Sequence, residues 1–190
     1  MMLSLPEADI SFVAGFLADA NALFEEVRDT SAWQDQILRM YGKEIPLPRR
    51  TAWYGDPETA YTYSGIRNTP LPWTKAITKI RQAVQDHCGL TFNSVLLNQY
   101  RTGKDSVAWH ADDEPELGTN PVIASISLGA TRRFNFKHKR SPYRGTSIDL
   151  THGSLLVMKG PTQANWLHQI PKTTKPVGAR INLTFRAVRP

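Results

Sequence analysis

Residues 96–114 read LLNQYRTGKDSVAWHADDE. The segment starts as an apolar-to-polar strand, turns through Gly103, and delivers His110 and Asp112 two residues apart. Side chains of an extended chain alternate between faces, so residues i and i+2 point the same way. His110 and Asp112 therefore converge on one centre while Ala111 points away. An Asp beside a His is equally compatible with a plain hydrogen-bonded couple, so a metal reading needs a third ligand.

Outward from this segment, the C-terminal half is β-rich. TFNSVLLNQY, PVIASISLG, TRRFNFKHK, GSLLVMKG, NWLHQI and ARINLTFRAV read as short strands, with Gly, Pro or Asn between them. Such regular punctuation predicts a sandwich or barrel. Toward the N-terminus, Phe16–Trp33 reads as a helix with Leu23, Phe24 and Val27 as its apolar stripe. Trp73–His87 reads as a second helix carrying Ile77, Ile80 and Val84, stopped by Gly89; His87 at its end reads as structural. Residues 38–50 hold two prolines and no helical period, and read as irregular. RTAWYG and YTYSG read as strand-like segments joined by the turn GDPE into a hairpin. In the latter, Tyr61 and Tyr63 share a face. With Trp53 nearby, they are either a stacking surface for a planar ligand or an ordinary aromatic hairpin on a core. Two helices in front of a β domain would cover one of its sheets and give one compact unit.

A chain of 190 residues, 41% of them apolar, suits a single domain with a sizeable core. Cys88 is the only cysteine, which excludes an intramolecular disulfide and a cysteine-based zinc site. The start MMLSLPEADI lacks the basic region of a signal peptide, and no run of about 18 apolar residues occurs. The expectation is a soluble monomer without membrane contact, cytoplasmic if bacterial and intracellular otherwise. The net charge of +6 is unevenly placed: residues 131–190 hold 12 Lys/Arg against Asp149 alone. A basic half fits a polyanionic partner, most simply nucleic acid, or simply a solvated basic face.

Three histidines remain as a third ligand. His138 lies in KHKR, among cations that repel a divalent metal, and His152 sits in a THGS turn where it can orient a loop. His168 ends the apolar strand NWLHQI just before Pro171, a position suited to a side chain aimed into a barrel mouth. His110, Asp112 and His168 then form a two-histidine, one-carboxylate set, which holds one face of an octahedron around Fe(II) and leaves three adjacent positions open. By residue type alone, a cupin-like zinc or manganese site and no metal at all stay open as alternatives.

The last strand, ARINLTFR, places Arg180, Asn182, Thr184 and Arg186 on one face. Asn98 and Tyr100 share a face in the same way. Guanidiniums inside a β domain need anions. Asp112 can serve one arginine, and a bound dicarboxylate the other, with the Tyr100 hydroxyl as a further donor. The alternative is ion pairs closing a barrel end.

Taken together, NQYRTGKDSVAWHADDE, ASISLGATRRFNF, HGSLLVMKGPTQANWLHQIP and RINLTFR resemble the AlkB family of iron- and 2-oxoglutarate-dependent dealkylation enzymes, in particular its third-homologue branch and bacterial counterparts. PRRTAWYGD followed by YTYSG extends the resemblance to residues 48–188. The resemblance implies a mostly β fold: a double-stranded β-helix (jelly roll), with N-terminal helices packed on one sheet and a nucleotide-recognition lid. Residues 1–190 would be one dioxygenase domain, with the N-terminal helix and lid in 1–70 and the jelly-roll core in 90–188. It implies Fe(II) on His110, Asp112 and His168, 2-oxoglutarate held by Arg180 and Tyr100 with Arg186 and Asn98 near its keto-acid end, and dioxygen as second co-substrate. Tyr63 would sandwich the damaged base against His110, while Asp113 and Glu114 position or read it. The implied activity is oxidative demethylation of 1-methyladenine and 3-methylcytosine in DNA, with RNA as a further substrate, releasing formaldehyde, succinate and carbon dioxide. The same chemistry on RNA or protein side chains, and a nonenzymatic nucleic-acid-binding β domain, are the rivals. Arg132, Arg133, Lys137, Lys139, Arg140 and Arg144 are candidates to track phosphates, Arg133 and the Lys139–Arg140 loop foremost. The stretch from Met40 to Pro46 shows Tyr41 and charged residues instead of an apolar wedge, which favours single-stranded or locally unpaired substrates.

Overall fold

The computed structural model describes residues 1–40, 43–59, 61–63, 66–140 and 143–189, with backbone alone at 38–40, 43, 61–63 and 66–68. In chain order the elements are β1 (Met2–Leu3), β2 (Asp9–Val13), α1 (Ala20–Thr30), β3 (Gln34–Met40), β4 (Lys43–Gly55), β5 (Tyr61–Tyr63), β6 (Ile66–Asn68) and α2 (Lys75–Cys88). There follow β7 (Ser94–Tyr100), β8 (Val107–His110), β9 (Ile123–Gly129), β10 (Arg132–His138), β11 (Thr146–Leu150), β12 (Ser154–Lys159), α3 (Thr162–Asn165), β13 (Trp166–Ile170) and β14 (Arg180–Arg186). The strands build an antiparallel sheet of eight, in the order β1-β2-β12-β9-β14-β7-β4-β3, and one of four, β11-β10-β13-β8. The fold is thus mixed, a large antiparallel core with N-terminal helices. Among the described residues, no helix is long and apolar enough to cross a membrane.

The eight-stranded sheet is the middle layer, and the alternation of its central strands shows why. On one face Val95, Leu97, Ala124, Ile126, Leu128, Ile181, Leu183 and Phe185 pack under α1 and α2, joining Leu23, Val27, Ile77, Ile80 and Val84. The other face meets the four-stranded sheet, where Ile123, Leu156 and Met158 pack with Phe134, Phe136, Trp166 and Ile170. Polar residues of that inner face, Asn98, Ser125, Ser127, Arg180, Asn182 and Thr184, are also buried. A strand buried on both sides ordinarily reads as a continuous apolar run. β14 instead alternates apolar and polar although both faces are covered, which marks its polar side as a built interior site.

Helix α2 forms where expected, over Lys75–Cys88 instead of Trp73–His87. The Thr74 hydroxyl accepts the Ile77 N–H, and Gly89, at φ +64°, ends the helix with its N–H on the Gln85 carbonyl. Helix α1 is shorter than the Phe16–Trp33 expected, because Ser31 turns extended and the Trp33 indole N–H folds back onto the Arg28 carbonyl.

Two further expectations fail. Residues 38–50 are mostly extended rather than irregular, lying in β3 and β4. Pro46 pairs opposite Ile37, and Pro48 falls where the β3–β4 register shifts by a bulge. Neither breaks the sheet, because β7 pairs with β4 only from Arg50 to Gly55. Among the described residues RTAWYG and YTYSG do not form the hairpin expected: β4 pairs with β3 and β7, while β5 pairs with β6. At the intervening GDPE, the Thr59 N–H closes onto the Asp56 carbonyl, and the Asp56 carboxylate takes the Trp73 indole N–H and Arg81. This side-chain tie turns the chain away from β4.

Candidate metal and co-substrate site

β13 and β8 are neighbours with His168 directly opposite His110, and Asp112 follows the end of β8. The potential ligand atoms of His110, Asp112 and His168 all lie within 4.8 Å of one another. The His168 Nε2 is 3.5 Å from the Asp112 carboxylate, and the two imidazole rings are 4.3 Å apart. Phe134 stacks on His168 at 5.1 Å and holds its ring plane. The His110 Nδ1 lies 2.9 Å from the Ala108 carbonyl. A carbonyl only accepts, so Nδ1 carries the proton and Nε2 keeps its lone pair.

Burial, aided by His168, lowers the His110 pKa and favours the neutral ring. Burial pushes Asp112 the other way, but the Arg186 guanidinium on its Oδ1, with His168 and His110, holds the carboxyl well below the usual carboxylate range. A neutral imidazole and an ionised, buried carboxylate are the forms that bind a divalent metal. Two histidines and one carboxylate fit Fe(II).

A cavity of about 750 Å³ opens from this triad over the inner face of β14. Arg180 lines it and is 1% exposed. Its Nη2 donates to the Ser127 hydroxyl at 2.8 Å, while Nε and Nη1 have no hydrogen-bond partner among the described residues. Burial brings its pKa down to about 10, with the neighbouring Tyr100 opposing, so it stays charged at neutral pH. The Tyr100 ring lies 5.1 Å from that guanidinium. A buried cation with unmet donors facing a cavity is the complement of a carboxylate. The Arg49 Nε donates to Asn98 Oδ1 at 2.7 Å, so the Asn98 amide nitrogen is turned away from Arg49.

The sequence-predicted residues divide here. His110, Asp112, His168, Asn98, Tyr100, Glu114, Arg180 and Arg186 all line one cavity. Asp113 does not join them; it pairs with Lys139 at 2.8 Å. Trp53 donates its indole N–H to Ser94 on the adjacent strand and is not among the cavity's lining residues. The side chains of Tyr61 and Tyr63, and all of Tyr41, lie outside the described residues. Arg133 is exposed and pairs with Asp149 at 3.4 Å. Arg132 cannot track phosphates: it is buried and donates to the carbonyls of Thr102, Asp105 and Pro171. Its inward face follows from the alternation of β10, which turns Arg133 out and Arg132 in. His152 accepts the Gly129 N–H at 2.8 Å, as its turn position implied. Sequence reasoning missed Arg49, Ser127 and Gln163, since a polar residue's partner on a distant strand leaves no periodic signal.

The loop before β8 is fastened by Arg132 and by its own Asp105. Gly103 has no room for a side chain, since a Cβ would meet the Thr173 carbonyl oxygen at 2.5 Å. Asp105 accepts the Arg101 backbone N–H at 2.8 Å and its guanidinium at 2.8 and 3.1 Å. Burial raises its pKa, but the Arg101 hydrogen bonds prevail and lower it. Asp105→Asn should therefore destabilise the protein by about 1.5–3 kcal/mol at pH 7. A depressed folded-state pKa contributes stability above the unfolded value of about 3.9 and loses it below. Urea unfolding at pH 7 and pH 3 should show the difference between wild type and variant narrowing at pH 3. An equal difference at both would contradict the assignment.

Residues 10–186 match the family model described as the 2OG-Fe(II) oxygenase superfamily. The chain is 47% identical over 181 residues to alpha-ketoglutarate-dependent dioxygenase alkB homolog 3 of Homo sapiens, covering 90% of this chain and 63% of that protein. Its likeness to the Rattus norvegicus protein of that name is 42% over 183 residues, covering 92% and 61%. With DNA oxidative demethylase ALKBH2 of Homo sapiens it shares 40% over 181 residues, covering 90% and 69%. The chain thus spans less than two thirds of the length of these alkB homolog 3 relatives. The solved structure of OsALKBH1 has the same fold, with a TM-score of 0.68 at 20% identity over 97% of this chain and 99% of that one.

Proposed function

The chain belongs to the 2OG-Fe(II) oxygenase superfamily, beside the AlkB homologues, and from that premise we propose that it oxidatively demethylates N-alkylated nucleic-acid bases. The observation that carries the proposal is the pairing of the His110–Asp112–His168 cluster with Arg180, a buried cation whose unmet donors face the same cavity. We read the two facing sheets as a double-stranded β-helix with its core in residues 90–188, residues 1–70 as containing the N-terminal helix and the nucleotide-recognition lid, and 1–190 as one dioxygenase domain.

His110, Asp112 and His168 would hold Fe(II). Arg180 with Tyr100 and Ser127 would grip the distal carboxylate of 2-oxoglutarate, with Asn98 and Arg186 toward its keto-acid end. The bound iron, with 2-oxoglutarate and dioxygen, supplies the oxidation of an N-methyl C–H bond; the methyl carbon leaves as formaldehyde, and 2-oxoglutarate ends as succinate and carbon dioxide. What the protein does is hold and shield. Arg186 keeps Asp112 ionised and aimed, Phe134 fixes the His168 plane, and a cavity reaching from the triad to Glu114 and Lys172 admits a base turned out of its strand. 1-Methyladenine and 3-methylcytosine are cationic, and Glu114 supplies the matching charge at the cavity. Asp113, held by Lys139, contributes only by opening that pair. Tyr63 would stack on the base. No residue need act as a general base on this route.

Phosphates have a place beside the mouth. A cleft of about 350 Å³ is lined by Arg133, Lys172 and Lys175 against Asp149, with Arg132 in its wall but donating to backbone carbonyls, and shares Pro171 and Lys172 with the catalytic cavity. Single-stranded or locally unpaired methylated DNA, and RNA, fit such a surface. The β3–β4 hairpin, however, exposes Ile37 and Ile45, an apolar pair that favours duplex invasion as the second reading. Formaldehyde release from methylated single-stranded DNA, duplex DNA, RNA and peptide decides among these. Release should require both Fe(II) and 2-oxoglutarate and be greatest on single strands. Turnover of peptide alone would overturn the nucleic-acid assignment, and preference for duplex would transfer it to the hairpin reading.

A further inference from the structure

One buried amide touches the triad without belonging to it. Gln163, in the single turn α3 between β12 and β13, is 1% exposed, and its Oε1 accepts the backbone N–H of Asp112 at 2.9 Å. The Asp112 N–H is an obligate donor, so the amide oxygen must face it; the amide nitrogen then points at the Met158 Sδ, 3.5 Å away. A thioether is a poor acceptor, so the amide is better matched to Asp112 than to its own surroundings. The turn is itself anchored. The Thr162 hydroxyl accepts the Asp9 N–H at 2.9 Å and donates to the Lys159 carbonyl at 2.6 Å. Lys139 donates to the Gln163 carbonyl at 2.9 Å and to the carboxylate of Asp113 at 2.8 Å.

We infer that Gln163 is a positioning residue for the metal centre, fixing the backbone of Asp112 so that its carboxylate meets His110 and His168. Arg186 restrains the same residue through its side chain, and Gln163 through its main chain. Asp112 lies beyond the end of β8, so its N–H has no ladder partner within that strand to hold it. Without the Gln163 acceptor, a buried donor is left unmet and the Asp112 peptide is free to rotate toward another partner. The inference rests on the metal reading above.

The test is Mn(II) binding, followed by the electron paramagnetic resonance of free Mn(II), together with the visible bands of the Co(II) protein and thermal unfolding. Gln163→Met removes the acceptor at similar volume, and Gln163→Asn withdraws it by one methylene while keeping the amide. Both should weaken Mn(II) binding about 10–100-fold, the usual cost of losing a group that orients a ligand, and shift the Co(II) bands. Gln163→Glu keeps an oxygen at the same reach and should lose clearly less than this ~10–100-fold. Wild-type affinity and bands in Gln163→Asn, or an equal loss in Gln163→Glu, would overturn the inference while leaving the metal reading intact. Failure of the wild-type protein to bind Mn(II) would overturn both. Should Gln163→Met not fold, the Asn and Glu variants decide alone.

Discussion

His168→Ala is expected to reduce Fe(II)- and 2-oxoglutarate-dependent formaldehyde release by more than about 100-fold, since removing even a group that merely orients a ligand costs 10–100-fold. The residue stands opposite His110, 3.5 Å from Asp112, and its ring is fixed by Phe134. Asp112 keeps its ion pair with Arg186 in the variant, so no buried charge is stranded. The loss of stability should thus stay within the ordinary ~0.5–3 kcal/mol of a single substitution. Circular dichroism melting and Mn(II) titration separate the two effects: the fold should persist while metal affinity collapses. A variant that keeps a tenth of wild-type turnover would remove His168 from the metal centre.

The second large effect runs in opposite directions for function and stability. Arg180→Met should abolish saturable 2-oxoglutarate binding, yet the free variant should unfold no earlier than wild type. The reason is that Arg180 is a buried cation with two nitrogens unpartnered among the described residues. Burying a single charge costs several kcal/mol, and an apolar side chain of similar volume removes that cost. Ligand reverses the ranking. With Mn(II) present and 2-oxoglutarate at about 100 times its Kd, the wild type gains about 2.7 kcal/mol. For a domain of this size that raises Tm by roughly 5–10 °C. The variant should show no such rise. If 2-oxoglutarate stabilises Arg180→Met as much as wild type, the carboxylate does not sit on Arg180.

His168 and Arg180 are both legible in the amino-acid sequence, Arg180 through periodicity. In ARINLTFR the apolar side chains at 181, 183 and 185 go to the helices, and Arg180, Asn182, Thr184 and Arg186 go to the cavity. The same rule of two brings His110 and Asp112 together, and Gly89 marks the end of α2. Where no period runs through the chain, the sequence misleads. RTAWYG does not pair with YTYSG, because the tie that redirects the chain runs from Asp56 to Trp73 and Arg81. Residues 38–50 read as irregular because their prolines sit at a bulge and outside the β7 pairing, and neither is apparent without the neighbouring strands.

The sequence by itself determined which residue types alternate along each strand, hence a β core with one polar inner face and a two-histidine, one-carboxylate set facing an arginine pair. Only the tertiary structure decided that Arg132 is an anchor under the loop instead of a phosphate contact, that Lys139 binds Asp113, and that Gln163 supports Asp112. Alternation is a local consequence of backbone geometry and is written in neighbouring residues. A hydrogen bond between residues 51 positions apart depends on which strands the whole chain brings side by side.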